Sequence, residues 1–180
     1  MARITQMGDA MRVLETERLV LRRLTLEDAG FILRLVNEPA WLRYIGDKHV
    51  RNLEDARNHL RNGPLHMYEL YGFGMFLVEL KDSGVAVGSC GLLKRDTLPD
   101  PDIGYAFLPE HWGKGYALEA ASAVLKYGHR EHRLPRILAI TSPDNERSIK
   151  VLHSCGMHFK RMIEMAEQDE VKLFALEFEG

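Results

Sequence analysis

Residues Asp102 to Ala117 constrain this chain more than any other stretch. Ile103-Gly104-Tyr105-Ala106-Phe107-Leu108 has strand character. Pro109-Glu110-His111-Trp112-Gly113-Lys114-Gly115 is a short loop, and Tyr116-Ala117 opens a helix. A strand that ends in a glycine loop at a helix start builds an anion site. The first backbone N–H groups of a helix lack intrahelical partners, and the aligned peptide dipoles add partial positive charge there. Gly113 and Gly115 let a phosphate approach the backbone with no Cβ in the way. The order predicts a phosphorylated cofactor held beside the end of a strand.

Three readings of the loop compete. A dinucleotide fingerprint needs a third small residue three positions after the second glycine, where Leu118 stands, and it belongs in a first β-α unit rather than past mid-chain. The pattern G-x-x-x-x-G-K-[ST] of nucleoside triphosphate hydrolysis is absent. The plainest reading is a tight turn that needs glycines for its backbone alone.

At 180 residues one domain is the natural expectation, with chain enough for a sizeable core. The balance of 24 basic against 26 acidic residues gives no general pull toward nucleic acid. No apolar run approaches a membrane span. The first 12 residues, with Arg3 and Asp9 but no apolar block, read as a flexible leader rather than a signal peptide, leaving 13–180 as the single domain. Two cysteines, Cys90 and Cys155, are too few for a disulfide framework, and a reduced cytoplasmic protein is expected.

Val13 to Leu24 reads as a strand pair or bent strand. Thr25 caps a helix carrying Ala29, Ile32, Leu35 and Val36, and Pro39 ends or restarts it. Asn52 opens a second helix, which Gly63-Pro64 breaks or ends. Gly74 to Leu80 and Val85 to Leu93 form a hairpin about Lys81-Asp82-Ser83-Gly84. After the strand Ile103 to Leu108, a helix runs from Gly115 to Gly128 with Leu118, Ala121, Val124 and Leu125 as its buried stripe. Arg136 to Thr141 is a strand, Asn145 opens a short helix through Cys155, and Gly156 stops it. Phe159 to Met165 and Val171 to Phe178 close the chain as a hairpin. The fold class is α+β, a mixed sheet flanked by helices with one β-α-β crossover.

The run from Ile103-Gly104-Tyr105 through Leu108-Pro109-Glu110-His111-Trp112-Gly113-Lys114-Gly115-Tyr116-Ala117 to Leu118-Glu119-Ala120 resembles the acetyl-CoA motif of the GNAT superfamily of N-acetyltransferases, in its RimJ/RimL-like branch. Asn145-Glu146-Arg147-Ser148, with Leu152 and Gly156, is similar to that branch's N-x-x-S helix. Glu15-Thr16-Glu17-Arg18-Leu19-Val20-Leu21-Arg22 is also typical of it. Trp112 stands where many superfamily members have Gln or Arg, as is usual for the branch. The resemblance covers residues 13 to 178. It implies a twisted mixed sheet with a splayed strand pair, and transfer of acetyl from acetyl-CoA to a primary amine by direct attack. No metal is implied.

On that resemblance the N–H groups of Gly113, Lys114, Gly115, Tyr116 and Ala117, with Trp112, take the pyrophosphate, and Lys114 adds charge there or is simply a solvated loop lysine. The coenzyme's arm fills the gap beside Phe107 and Leu108, where a main-chain N–H polarises the thioester carbonyl. Asn145 caps its helix and also contacts the arm. Ser148, one turn on, is the candidate near the sulfur, against a plain helix serine bonding back to a carbonyl. The tyrosine many family members use as general acid is replaced by Leu152, and the strand glutamate by Ile140. Asp102 is a candidate base, against a solvated strand-edge acid; His111 and His153 are weaker ones.

His129-x-x-His132 has the spacing of a metal pair but no third ligand nearby. Cys155 reads as a small buried residue. Glu164, Glu167, Asp169 and Glu170 either draw a cationic amine to the acceptor mouth or form a solvated turn. Trp41 to Asn52 and Met162 to Val171 frame the acceptor groove by analogy, with Trp41, Tyr44 and Ile45 lining it or packing a short helix. The acceptor readings are a protein N-terminal amine of the ribosomal-protein kind and, as the alternative, a small-molecule amine or antibiotic. A catalytically silent CoA-binding regulatory module is the third. An exposed strand or helix face leaves room for a homodimer.

Overall fold

A computed structural model describes residues 11–166 and 168–180. Strands β1 (Arg12–Glu15) and β2 (Leu19–Arg23) are the opening pair. A single 3-10 turn over Leu26–Asp28 leads into α1 (Ala29–Leu35), then α2 (Pro39–Tyr44), α3 (Leu53–Asn62) and α4 (Pro64–Tyr71). Strands β3 (Met75–Leu80), β4 (Ala86–Leu93) and β5 (Asp102–Phe107) form a meander. Helix α5 (Tyr116–His132) crosses to β6 (Arg136–Thr141), and α6 (Glu146–Ser154) leads to the hairpin β7 (His158–Met165) and β8 (Gln168–Glu177). Among the described residues the sheet has eight strands in the order β1-β2-β3-β4-β5-β6-β8-β7. Every pairing is antiparallel except β5 with β6. Residues 1–10 of the expected leader lie outside the described residues.

Local signals explain most boundaries. Asn52 accepts from the Asp55 N–H at 2.8 Å and starts α3. Gly156, at φ 83°, ends the turn after α6 in the left-handed region that favours glycine. Pro39 restarts a helix rather than ending one. Gly63-Pro64 likewise divides two helices, because proline at a first helical position gives up an N–H that had no partner there anyway.

Helix α5 corrects the expected stop at Gly128. It runs on to His132 and ends at Arg133 in the left-handed region, φ 54°. Gly128 serves packing instead: a Cβ there would lie 2.8 Å from the Ile137 Cδ1 and 3.0 Å from the Leu92 Cδ1. Ala120, Ala121, Val124, Leu125 and Gly128 face the sheet, and Ala117 takes the first-turn place on the core. Leu118 falls at the margin of that stripe and is exposed. The second apolar layer, on α1 and α3, covers Leu77 of the sheet from Ile32, Val36, Ala56 and Leu60.

Gly91 marks the tightest approach. A Cβ there would stand 2.1 Å from the Gly74 carbonyl oxygen and 2.6 Å from the Met75 Cα, both backbone atoms. Gly91→Ala is expected to cost about 3 kcal/mol, an overpacking penalty that side chains cannot relieve. In a chain of this size that is a melting point lower by roughly 6–12 °C, read by thermal denaturation.

Candidate active site

The sheet is open where, among the described residues, its only parallel pair meets. β5 and β6 are in register at Asp102 with Leu138, and the Leu138 N–H reaches the Pro101 carbonyl at 2.9 Å. Beyond that point the strands part. The gap opens into a cavity of about 850 Å³ whose walls include Gly104, Tyr105 and Phe107 on one side and Ile140 and Thr141 on the other.

One side chain sits on the open edge. The Trp112 Nε1–H donates to the Phe107 carbonyl at 2.8 Å, so a loop indole takes an acceptor that a neighbouring strand would otherwise use. The Leu108 N–H donates to the Val87 carbonyl at 2.9 Å and is committed to β4. Along an antiparallel strand successive residues turn their amides to opposite edges. The Phe107 N–H therefore shares the gap edge with its own carbonyl. Of the two amides expected at this spot, Phe107's faces the cavity and Leu108's does not.

The loop follows at once. Pro109–His111 makes a 3-10 turn, and Gly113 and Gly115 adopt φ of 74° and 82°. Gly115 is the N-cap of α5 and has no capping side chain, so no side chain caps the first amides of this 17-residue helix. A Cβ on Gly113 would meet nothing within 4 Å, so that glycine is needed for its backbone angle rather than for space.

The opening strand segment braces this loop from behind, a link not foreseen from the sequence. The Arg18 Nη1 donates to the Lys114 carbonyl at 2.8 Å, its Nε to Glu119 at 2.8 Å, and its guanidinium lies 4.7 Å from the centre of the Tyr116 ring. The other Glu119 oxygen accepts from the Thr16 hydroxyl at 2.6 Å and from the Arg18 N–H at 3.1 Å. Burial pushes the Glu119 carboxyl up, but the hydrogen bonds from Thr16 and Arg18 outweigh it and hold it below the usual carboxylate range. Arg147, from the first turn of α6, places its guanidinium 3.8 Å from the Trp112 ring centre and so sets a second cation against the loop. Lys114 itself is exposed.

Helix α6 forms the opposite wall. Asn145 Oδ1 accepts from the Ser148 N–H at 3.2 Å, the expected cap. The Ser148 hydroxyl does not bond back along its helix. It lies 2.9 Å from the Tyr105 hydroxyl, which also donates to the Ser148 carbonyl at 3.1 Å. Burial pushes the Tyr105 phenol well above the usual tyrosine range, and its bond to Ser148 only partly offsets this, so the group is a protonated donor at neutral pH. Tyr105 is a site residue that sequence reasoning missed; its place in the strand that feeds the loop was the available signal. Leu152 is a buried core residue, and His153 is exposed, edge-on to Phe174 at 5.3 Å.

At the closed end of the gap the structure overturns the solvated-acid reading of Asp102. Its side chain is 1% exposed and both oxygens lie 3.1 Å from the Arg95 Nε. Burial pushes its carboxyl up to about 6, with Arg95 opposing the shift. Asp102, Trp41, Tyr44 and Ile45 all line the same cavity, as do Met165 and Ala166 of the closing hairpin. Glu164, Asp169 and Glu170 do not line it, and Glu167 lies outside the described residues. The buried Nδ1 of His111 has no hydrogen-bond partner among the described residues, and His111 is not part of the cavity wall.

The two helix-end histidines go separate ways. His129 Nδ1 faces the Leu134 carbonyl at 3.1 Å, and His132 Nε2 the Tyr127 hydroxyl at 2.8 Å. Cys155 is half-buried, 3.7 Å from the Ser122 hydroxyl, and burial pushes its thiol up, away from a reactive thiolate. Among the described residues no helix is long and apolar enough to cross a membrane.

Known proteins share the family and the fold. Residues 18–158 match the family described as acetyltransferase (GNAT) domain. The uncharacterised N-acetyltransferase p20 of Bacillus licheniformis is 30% identical over 165 residues, covering 91% of this chain and 92% of that protein. The crystal structure of a GNAT-family acetyltransferase from Bacillus anthracis superposes with a TM-score of 0.76 at 28% identity, over 93% of this chain and 98% of the other. RimL, a ribosomal L7/L12 alpha-N-protein acetyltransferase solved in complex with coenzyme A, superposes with a TM-score of 0.80 at 19% identity, over 92% of this chain and 97% of the other.

Proposed function

Because the chain belongs to the GNAT family of N-acetyltransferases, we propose that residues 13–180 act as one domain that moves acetyl from acetyl-CoA to a primary amine, with a peptide N-terminal amine as the leading acceptor. The observation that carries this reading is the parting of β5 and β6 immediately before an uncapped helix start. The residues present fit the coenzyme. Two glycines at positive φ form a cradle beside helix amides that no side chain caps, and a strand edge lies open next to it. Acetyl-CoA supplies an activated acyl group and a thiolate leaving group.

The chain's own residues divide the work. The amides from Gly113 to Ala117 hold pyrophosphate, with Trp112 and Lys114 beside them. The open edge of β5 pairs with the amide-bearing arm as an added strand would, and Asn145 meets it from α6. The Phe107 N–H, on the open strand edge, would donate to the thioester carbonyl and stabilise the negative charge that develops on its oxygen. Asp102, with a carboxyl pushed up to about 6, takes the proton the amine must lose by relay through water along the cavity, since it lies five positions before Phe107 on β5. The Ser148 and Tyr105 hydroxyls, paired across the gap, return a proton to the departing sulfur. The amine loses one proton and the thiolate gains one at the same carbonyl carbon, and Asp102 and the hydroxyl pair return to their starting protonation by exchange with solvent, so charge balances.

Coenzyme A at 100 times its dissociation constant is expected to stabilise the fold by about 2.7 kcal/mol, a melting point higher by roughly 5–10 °C. Gly115→Trp, which fills the cradle at φ 82° and meets Arg18, should lose that increase. A wild-type melting curve unmoved by coenzyme A would sink the proposal. Binding without turnover of any amine would favour a silent module instead.

A further inference from the structure

We propose that Arg147, seated over the Trp112 ring, binds the pyrophosphate of the coenzyme and fixes it on the donor loop. This rests on the acetyltransferase reading and adds a binding residue to the same site.

Two anchored elements bring the pair together. Trp112 directly precedes Gly113, and its Nε1–H is fixed to the Phe107 carbonyl at 2.8 Å. Arg147 follows Asn145, whose side chain caps α6 by accepting from the Ser148 N–H at 3.2 Å. The Arg147 guanidinium lies 3.8 Å from the centre of the Trp112 ring, and both residues line the cavity. The indole is thus a platform that holds a cation beside the glycine cradle.

That cation is left without a counter-ion. Among the described residues no carboxylate is paired with Arg147. Asp144, its near neighbour in sequence, goes to Arg43 at 3.1 Å. The ring takes one face of the guanidinium and leaves its N–H edge, a planar fork that matches two oxygens of a phosphate.

The ligand calls for such a charge. A helix start offers roughly half a unit of positive charge, less than a pyrophosphate needs. Arg18, the cation behind the loop, is committed to Glu119 and to the Lys114 carbonyl. Arg147 reaches the loop from the cavity side. Its fork would meet phosphate oxygens that the amides of Gly113 to Ala117 hold from the other side.

The test is calorimetric titration of the wild type, Arg147→Met and Arg147→Lys. The ligands are coenzyme A and dephospho-coenzyme A, which lacks the ribose phosphate and keeps the pyrophosphate. Each titration is run at about 50 and about 500 mM salt. Arg147→Met keeps an unbranched stem over the ring and removes the charge. At the lower salt it is expected to weaken coenzyme A binding by about 10- to 100-fold, the range of a charge-assisted hydrogen bond. Arg147→Lys should fall between it and the wild type. Dephospho-coenzyme A should show the same loss, and the loss should shrink at the higher salt. Without ligand, the Arg147→Met melting point should move by no more than about 4 °C, the scale of one exposed cation–π contact.

Unchanged coenzyme A affinity in Arg147→Met overturns the inference. So does a loss that disappears with dephospho-coenzyme A, which would move the contact to the ribose phosphate. A loss of equal size at both salts, or a larger fall in the ligand-free melting point, makes Arg147 a brace of the loop and overturns it as well. Each of these leaves the cofactor reading intact. No binding of coenzyme A by the wild type overturns both.

Discussion

Asp102→Asn is expected to lower kcat/KM by about 1,000-fold while leaving coenzyme A affinity unchanged, the effect of removing a positioned general base. The wild-type rate should fall on the acid side with a midpoint near 6, because the carboxyl must be ionised to accept the amine's proton and its titration is raised to about 6. The variant should lack that limb. Stability should move in the opposite sense. The folded carboxyl titrates above its ordinary value of 3.8, so between about pH 4 and 6 the folded state binds the extra proton and the unfolded state does not. Wild-type stability relative to the variant is therefore largest in acid and declines as pH rises through 6. Melting curves of both proteins from pH 4 to 8 check this. A variant that retains activity, or a wild-type profile flat through pH 6, removes Asp102 from the chemistry.

Tyr105→Phe is expected to lower kcat by about 10- to 100-fold with little change in the KM for acetyl-CoA. The ring stays in place and only the hydroxyl pair with Ser148 is lost. That pair acts as a unit, so Ser148→Ala should cost a similar factor and the double variant little more than the worse single one. Steady-state kinetics on the three proteins decide it. Multiplying penalties would mean the two hydroxyls act separately. A fall in acetyl-CoA affinity matched by an unchanged kcat would make the pair a structural brace.

What the sequence disclosed about this site was local. Gly113, Gly115 and the Asn145 cap depend on backbone angles and on partners within one turn, and all sit where their spacing predicts. The order of helices and strands along the chain followed from the same kind of signal. What it concealed depends on distant residues. Tyr105 and Ser148 meet across 43 positions, and Arg18 and Glu119 across 101. Asp102 looks like an edge acid in a polar loop until β5 closes on β6 and Arg95 folds over it. The Gly63-Pro64 break held, whereas the Gly128 stop failed for a different reason. A glycine has two uses, ending a helix or serving inside the packing, and at Gly128 only the neighbours Ile137 and Leu92 decide which.

The grip of Thr16 and Arg18 on Glu119 and Lys114 ties the outermost hairpin of the sheet to the donor loop as one mechanical piece. Disturbance at that margin, from a fusion partner or a slipped β1 register, reaches the pyrophosphate cradle through three short links rather than through the core. Weak coenzyme binding in a well-folded preparation is thus a symptom to trace to Thr16 and Arg18 before any residue of the cavity is blamed.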